Sequence, residues 1–150
     1  MKNRLTPAGI AIFGVSAFVC STSFAAPATA VNVLLQDPST DSAIQSMRIS
    51  VDRGTAPAGR ITFRTINQSK DQIHELLVVR MRPGEATLPY DEKEQEVVEK
   101  RIDRRGEIDK LKPGASRAMT LNLKAGSYLL ICNEPGHYKA GMSVPFSVTK

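Results

Sequence analysis

The chain has 150 residues, of which 41% are hydrophobic and 5% aromatic, and it carries 20 Lys and Arg residues against 15 Asp and Glu residues. This size fits one domain with a single core. The small excess of positive charge is scattered along the chain without interleaved aromatic side chains, so we expect no nucleic-acid partner.

Residues 1–30 have the pattern of a signal peptide. Two basic residues precede an apolar run, residues 10–19, that is too short to span a bilayer. Small residues then offer cleavage sites near Ala25 or Ala30. A retained membrane anchor is the less favoured interpretation because no charged stop-transfer segment follows, and we expect no stable membrane insertion after cleavage. The predicted location is therefore periplasmic or secreted.

Removal of this segment leaves residues 31–150 as one domain with a net charge of about +3, which we expect to be monomeric. Cys20 is removed with the segment, and Val19 before it is bulkier than a lipid-attachment signal accepts. Cys132 is then the one remaining cysteine, and it has no partner for an intramolecular disulfide in an oxidising compartment. Such a thiol requires an explanation, and metal binding provides one.

Short segments rich in β-branched residues, separated by Pro and Gly, predict an all-β domain. Residues 47–51 and 61–66 alternate between apolar and polar side chains, as half-buried strands do. Seven such segments fit a sandwich of two antiparallel sheets. The predicted fold is a Greek-key β-sandwich. The seven predicted strands are residues 31–35, 47–51, 61–66, 74–80, 117–123, 127–132 and 144–148.

Residues 81–114 separate two of these strands and predict one helical insertion around residues 91–105. Asp91 can cap the helix, with Glu94 in the register of a capping box, and Gly106 can end it. Acidic side chains come first and basic ones last, which suits the helix dipole. The apolar face is thin, so we expect the helix on the surface. Two roles remain open, a solvated decoration and a docking surface for a redox partner.

A thiol, an imidazole and a thioether recur at intervals of five residues in Cys132, His137 and Met142. Neither regular element brings such residues together, because five residues rotate a helix by about 140° and put strand residues on opposite faces. Pro135 and Gly136 also prevent a continuous helix or strand. The three side chains converge only if the chain curls around a common point between two strands. This pattern predicts a metal-binding loop.

The other histidine of the chain, His74, completes a ligand set with these three residues. It ends a polar turn and begins an apolar run. One thiolate, two imidazoles and a weakly bound thioether are the ligands of a blue copper, or type 1, centre. The pattern thus predicts one copper ion bound by His74, Cys132, His137 and Met142.

These motifs resemble those of the cupredoxins, the small blue copper proteins. Residues 126–132 are similar to the penultimate strand of the family, residues 142–148 to its final strand, and residues 67–74 to the region of its first histidine. The resemblance implies an electron carrier that exchanges single electrons with redox partner proteins and is not an enzyme. It also implies the ligand roles by position: His74, Cys132 and His137 are equatorial and Met142 is axial.

The sequence departs from the family pattern at two places. Glu75 follows the first histidine, where many members carry a small polar residue that ties the two ligand loops together. The insertion at residues 81–114 is also unusual. The first departure affects the hydrogen bonds around the ligands, and the second affects the surface offered to a partner.

Other functions fit the residues less well. A hydrolase would activate Cys132 with a histidine base, but Met142 would then have no role. Structural zinc normally requires four Cys or His ligands, and the exported chain has three. A copper enzyme with a second metal centre would need further histidines. Copper storage, delivery or tolerance through the same four residues remains the alternative to electron transfer.

Overall fold

A computed structural model of the chain describes residues 27–38 and 46–150. Within these residues the fold consists of strands joined by turns, with one 3₁₀ turn at Glu99–Arg101. The all-β prediction is confirmed, and each of the seven predicted strands is present. The strands are β1 (Thr29–Gln36), β2 (Arg48–Val51), β3 (Thr55–Pro57), β4 (Gly59–Asn67), β5 (His74–Arg80), β6 (Tyr90–Asp91), β7 (Glu96–Val97), β8 (Asp103–Leu111), β9 (Ser116–Leu123), β10 (Gly126–Ile131) and β11 (Ser143–Thr149).

Two sheets pack face to face and form a β-sandwich. The first sheet has the order β2-β1-β4-β9 and the second has the order β3-β11-β10-β5-β8. Most neighbouring strands are antiparallel, but β1 is parallel to β4 and β3 is parallel to β11. The sheets are therefore mixed, which corrects the expectation of purely antiparallel pairing. The chain crosses from β2 to β3 in the other sheet before it returns as β4, and this crossover lets β4 run parallel to β1.

The core lies between the sheets, where alternate residues of each strand point inward. Phe63 in β4 and Phe146 in β11 meet edge to face, with ring centroids 5.5 Å apart. Val, Ile and Leu side chains from both sheets fill the space around them. Cys132 and Met142 belong to the same buried cluster. Two of the four predicted ligands are therefore fixed by core packing.

The predicted helix around residues 91–105 is absent, and this prediction was wrong. The segment forms a short hairpin of β6 and β7, followed by the 3₁₀ turn and the start of β8. Asp91 does make cap-like hydrogen bonds, since its Oδ1 atom accepts from the backbone N–H groups of Lys93 and Glu94 at 2.9 and 3.2 Å. These bonds close a turn instead of a helix, because Gln95 adopts a left-handed conformation, with φ of 58°, and reverses the chain.

Tertiary packing explains why this segment is not helical. Val97 is 2% exposed and packs with Leu77, Val79, Leu88 and Ile131 in a second apolar cluster. A helix gains most of its stability in proteins from burial of an apolar face, and this segment offers only a thin one. Favourable charge placement contributes only about 0.3–1 kcal/mol at each end. Burial of Val97 in an extended conformation therefore outweighs the helical pattern.

The predicted signal peptide lies almost entirely outside the described residues, as does Ala25. Ala30 lies in β1, where it is paired with Thr62 of β4. In the part of the chain that the structure describes, no helix is both long enough and apolar enough to cross a membrane. The signal peptide and the domain boundary at residue 31 stay predictions.

Candidate metal centre

The three central strands of the second sheet place the predicted ligands at one end of the sandwich. His74 opens β5, Cys132 directly follows β10, and Met142 directly precedes β11. The last residue of β10, Ile131, pairs with Leu77 in the middle of β5 and with Ser143, the first residue of β11. Strand register therefore brings the start of one strand and the loop between the other two to the same position. This loop, residues 132–142, is the ligand loop.

His74, Cys132 and His137 converge so closely that one donor atom of each lies within 4.8 Å of the other two. The Nδ1 atoms of the two histidines are 3.2 Å apart. The Sγ atom of Cys132 lies 3.8 Å from Nδ1 of His74 and 3.5 Å from Nδ1 of His137. All three side chains are buried. The structure thus brings together three residues that are far apart in sequence or separated by a loop, as predicted.

The spacing of these three donor atoms fits a small metal ion. A triangle with sides of 3.2, 3.5 and 3.8 Å has a point in its plane that is about 2.0 Å from every corner. Bonds from a first-row metal ion such as zinc are about 2.0–2.1 Å long to histidine nitrogen and about 2.3 Å long to cysteine sulfur. The donors therefore already lie near bonding distance from one common point, and at most small adjustments are needed.

The ligand loop is closed by its own backbone. The N–H of Cys132 donates to the carbonyl oxygen of Met142 at 3.1 Å, and the N–H of Met142 donates to the carbonyl oxygen of His137 at 3.0 Å. Gly141 adopts φ of 107°, and a Cβ atom there would lie 3.0 Å from the carbonyl oxygen of Met47. Glycine is required at this point by both conformation and space. Met142 is fully buried, and its backbone is bonded to both other ligand residues of the loop.

Burial favours the uncharged forms of the three donors. It lowers the pKa of His74, which the neighbouring His137 lowers further, and it also lowers the pKa of His137. Burial raises the pKa of the Cys132 thiol to about 12, although the backbone N–H of Glu75 donates to its Sγ atom at 3.3 Å and favours the thiolate. Neutral imidazoles can bind a metal ion directly, whereas the thiol must first release its proton.

Asp37, directly after β1, lies beside the ring of His74. Its Oδ2 atom is 3.4 Å from Nε2 of His74, and both side chains are almost fully buried. The contact has the distance of an ion pair but not the geometry of a hydrogen bond. Carboxylates behind metal-binding histidines fix the ring orientation. The sequence analysis missed Asp37, and the one available signal was an acidic residue at the end of an apolar strand.

Glu75 links β5, the strand that begins with His74, to the ligand loop. Its Oε1 atom accepts a hydrogen bond from the backbone N–H of Asn133 at 2.9 Å. The departure from the family pattern at this position therefore changes the chemical group but keeps the link. The side chain is 7% exposed. Burial raises the pKa of Glu75 to about 8, with further contributions from Glu134 and Glu107.

Comparison with known proteins gives similarity at the level of structure. No family model matches the sequence, and no curated relative matches it. Reduced auracyanin from Roseiflexus castenholzii is 22% identical, with a TM-score of 0.56 over 84% of this chain and 100% of that chain. Rusticyanin from Thiobacillus ferrooxidans is 17% identical, with a TM-score of 0.58 over 84% and 80%. Auracyanin A from Chloroflexus aurantiacus, described as a "blue" copper protein, is 20% identical, with a TM-score of 0.56 over 82% and 100%.

The chain has the cupredoxin fold, as the resemblance in sequence implied. The likeness to auracyanin and rusticyanin covers more than four-fifths of the chain. The sheet order places β10 between β5, which begins with His74, and β11, which Met142 precedes. The site brings together two imidazoles and a thiol, and the buried Met142 ends the same loop; these are the residue types of a type 1 copper centre. The fold is therefore that of the small β-sandwich proteins named above, and the site has donors of the kinds that copper prefers.

Proposed function

We propose that this protein is a blue copper protein that carries single electrons. The observation that supports this function best is the buried triangle of donors formed by His74, Cys132 and His137, whose spacing fits a small metal ion. Met142 is the proposed axial ligand. A thiolate with two imidazoles and a thioether favours copper over ions that prefer oxygen ligands.

The protein frame suits electron transfer. Copper, when bound, supplies a one-electron couple between Cu(I) and Cu(II). The sandwich and the closed ligand loop hold the donors near bonding distance from one point, so little movement of the chain accompanies a change of charge at that point. His137 is 9% exposed, whereas the other three proposed ligands are 0% exposed. The ring edge of His137 is therefore the proposed route for the electron.

A hydrolytic role fits this geometry poorly. Cys132 and His137 are close enough to form a nucleophile and base pair. However, the thiol is 0% exposed, and burial raises its pKa to about 12. Activated cysteines instead have a lowered pKa and partial exposure. The protein is proposed to act as a carrier and not as an enzyme.

The proposed setting is the periplasm or the exterior of the cell. The signal peptide pattern of residues 1–30 supports export, and the absence of a disulfide partner for Cys132 is compatible with an oxidising compartment when the thiol is held by a metal. We propose that the exported protein is a monomer that meets redox partner proteins transiently. No nucleic acid is proposed as a partner.

Repeated reduction and reoxidation should leave copper in the protein. The donors are buried and fixed by the fold, so a competing chelator has little access to the ion in either oxidation state. The measurement is the visible absorbance after successive cycles with ascorbate and ferricyanide in the presence of a Cu(I) chelator. The His137→Gly variant opens the site and should lose copper to the same chelator. Rapid transfer of Cu(I) from the unaltered protein would instead support storage or delivery of copper.

Met142→Leu should leave copper bound and raise the reduction potential. Leucine fills a similar volume in the core, but the loss of a sulfur donor disfavours Cu(II). A shift of about 60 mV would correspond to a tenfold change in the relative affinity for the two ions. Voltammetry of both proteins measures it. Met119→Leu, at a half-buried methionine of β9, is the control and should leave the potential unchanged. An unchanged potential in Met142→Leu would show that the thioether does not approach the metal.

A further inference from the structure

The inserted segment lies against the ligand loop. Residues 88–101, which include β6, β7 and the 3₁₀ turn, are here called the insertion hairpin. The backbone N–H of Gly136 donates to the carbonyl oxygen of Gln95 at 2.8 Å. The backbone N–H of Leu88 donates to the hydroxyl oxygen of Tyr138 at 3.4 Å. The hairpin therefore contacts the loop on both sides of His137.

Asn133, next to Cys132, joins the hairpin to the loop most firmly. Its side chain pairs with Val97 as a neighbouring strand would, since Oδ1 accepts from the backbone N–H at 2.6 Å and Nδ2 donates to the carbonyl oxygen at 3.1 Å. Nδ2 also lies 3.3 Å from Oε1 of Glu99. The backbone N–H of Asn133 donates to Glu75. One residue that is only 3% exposed thus connects the hairpin, the loop and the strand of the first histidine.

The hairpin is itself anchored to β5, which begins with His74, and to β10, which Cys132 follows. Val97 packs on Leu77 and Val79 of β5, the strand that begins with His74, and on Ile131 of β10. These side chains lie on the face of the second sheet that points away from the main core, because their neighbours in sequence point into it. A contact from the hairpin to the loop therefore has a fixed base on the same sheet.

We propose that Asn133 is a positioning residue, through which the insertion hairpin holds the ligand loop in its metal-binding geometry before a metal ion binds. The identity of the metal rests on the proposed function, but the positioning is a property of the metal-free protein. It gives a physical reason for the convergence of the three donor atoms on one point. It also gives the unusual insertion a role at the site, in place of the solvated decoration or docking surface considered from the sequence.

Amide hydrogen exchange of the metal-free protein tests this role. Asn133→Ala leaves the N–H and carbonyl groups of Val97 without their partner, and the loop should open more often. We expect the bonded amides of His137, Ala140 and Met142 to exchange at least about tenfold faster, with the amides of β1 and β4 unchanged. Glu92→Gln is the matched control, because it removes an exposed ion pair between the same hairpin and Lys139. It should leave the exchange rates unchanged.

A second variant keeps the proposal testable if Asn133→Ala does not fold. Val97→Ala loosens the anchor of the hairpin and leaves Asn133 and its backbone partners in place, so the same loop amides should exchange faster by a smaller factor. Equal loop exchange in the variant and the unaltered protein, or faster exchange spread evenly over the fold, would overturn the proposal. Addition of Cu(II) to the unaltered protein separates this result from the proposed function. A colourless copper complex would refute the blue copper site and leave the exchange result standing.

Discussion

Cys132→Ser should abolish the intense visible absorption that we expect from the copper-loaded protein. The band of a blue copper centre arises from charge transfer between a thiolate and Cu(II), and a serine hydroxyl in the same position cannot supply it. Cys132 is the one cysteine among the described residues, so no other thiol there can replace it. The measurement is a titration of the metal-free protein with Cu(II), followed by visible spectroscopy. The expected loss of absorbance is at least about tenfold, down to faint d–d transitions.

Ser143→Ala is a suitable control for this experiment. Ser143 directly follows Met142 and is half-buried, so the variant changes a hydroxyl group at the other end of the ligand loop and keeps the four proposed ligands. It should keep the band. Equilibrium dialysis of both variants would show whether copper is still bound when the colour is lost. A band that survives in Cys132→Ser, or a colourless complex of the unaltered protein, would contradict the blue copper assignment.

The convergence of the proposed ligands could be predicted from the sequence because most of them are local. Cys132, His137 and Met142 lie within one loop, and their equal spacing has no use in a regular helix or strand. The long-range member, His74, was found because the chain has only two histidines. The strands around these residues could also be predicted, since runs of β-branched residues predict the strands and Pro or Gly residues mark their ends. Local pattern and global fold are consistent at this end of the sandwich.

The insertion could not be predicted in the same way because its conformation depends on distant residues. Val97 is extended because of a pocket formed by β5 and β10 and a side-chain amide, that of Asn133, 36 residues away. The edge strand β8 carries many exposed charged residues and pairs with β5 through two irregularities in register, so its alternation is weak. Asp37 near His74 shows the same limit. Contacts of this kind leave no periodic signal in the sequence.

The free energy of unfolding of the metal-free protein should contain a contribution from Glu75 that falls as the pH rises from about 5 to about 8. Burial, with Glu134 and Glu107 nearby, raises the pKa of Glu75 from 4.5 to about 8. Between these values the folded protein keeps a proton that the unfolded chain has lost, so rising pH favours unfolding. The contribution is complete below the unfolded pKa and is lost once the pH passes the folded pKa. A shift of this size corresponds to about 3–5 kcal/mol.

Glu75→Gln should remove this contribution. The amide oxygen of glutamine can still accept the hydrogen bond from Asn133, so the link between the ligand loops is kept while the charge is removed. Denaturant unfolding of both proteins between pH 5 and pH 9 measures the effect. We expect similar stability near pH 5 and a variant that is more stable by about 2–4 kcal/mol near pH 8.5. Glu94→Gln, with a side chain that is 63% exposed, should follow the unaltered protein throughout. Parallel pH profiles for Glu75→Gln and the unaltered protein would contradict the prediction, because they would mean that the folded protein already holds Glu75 ionised at neutral pH.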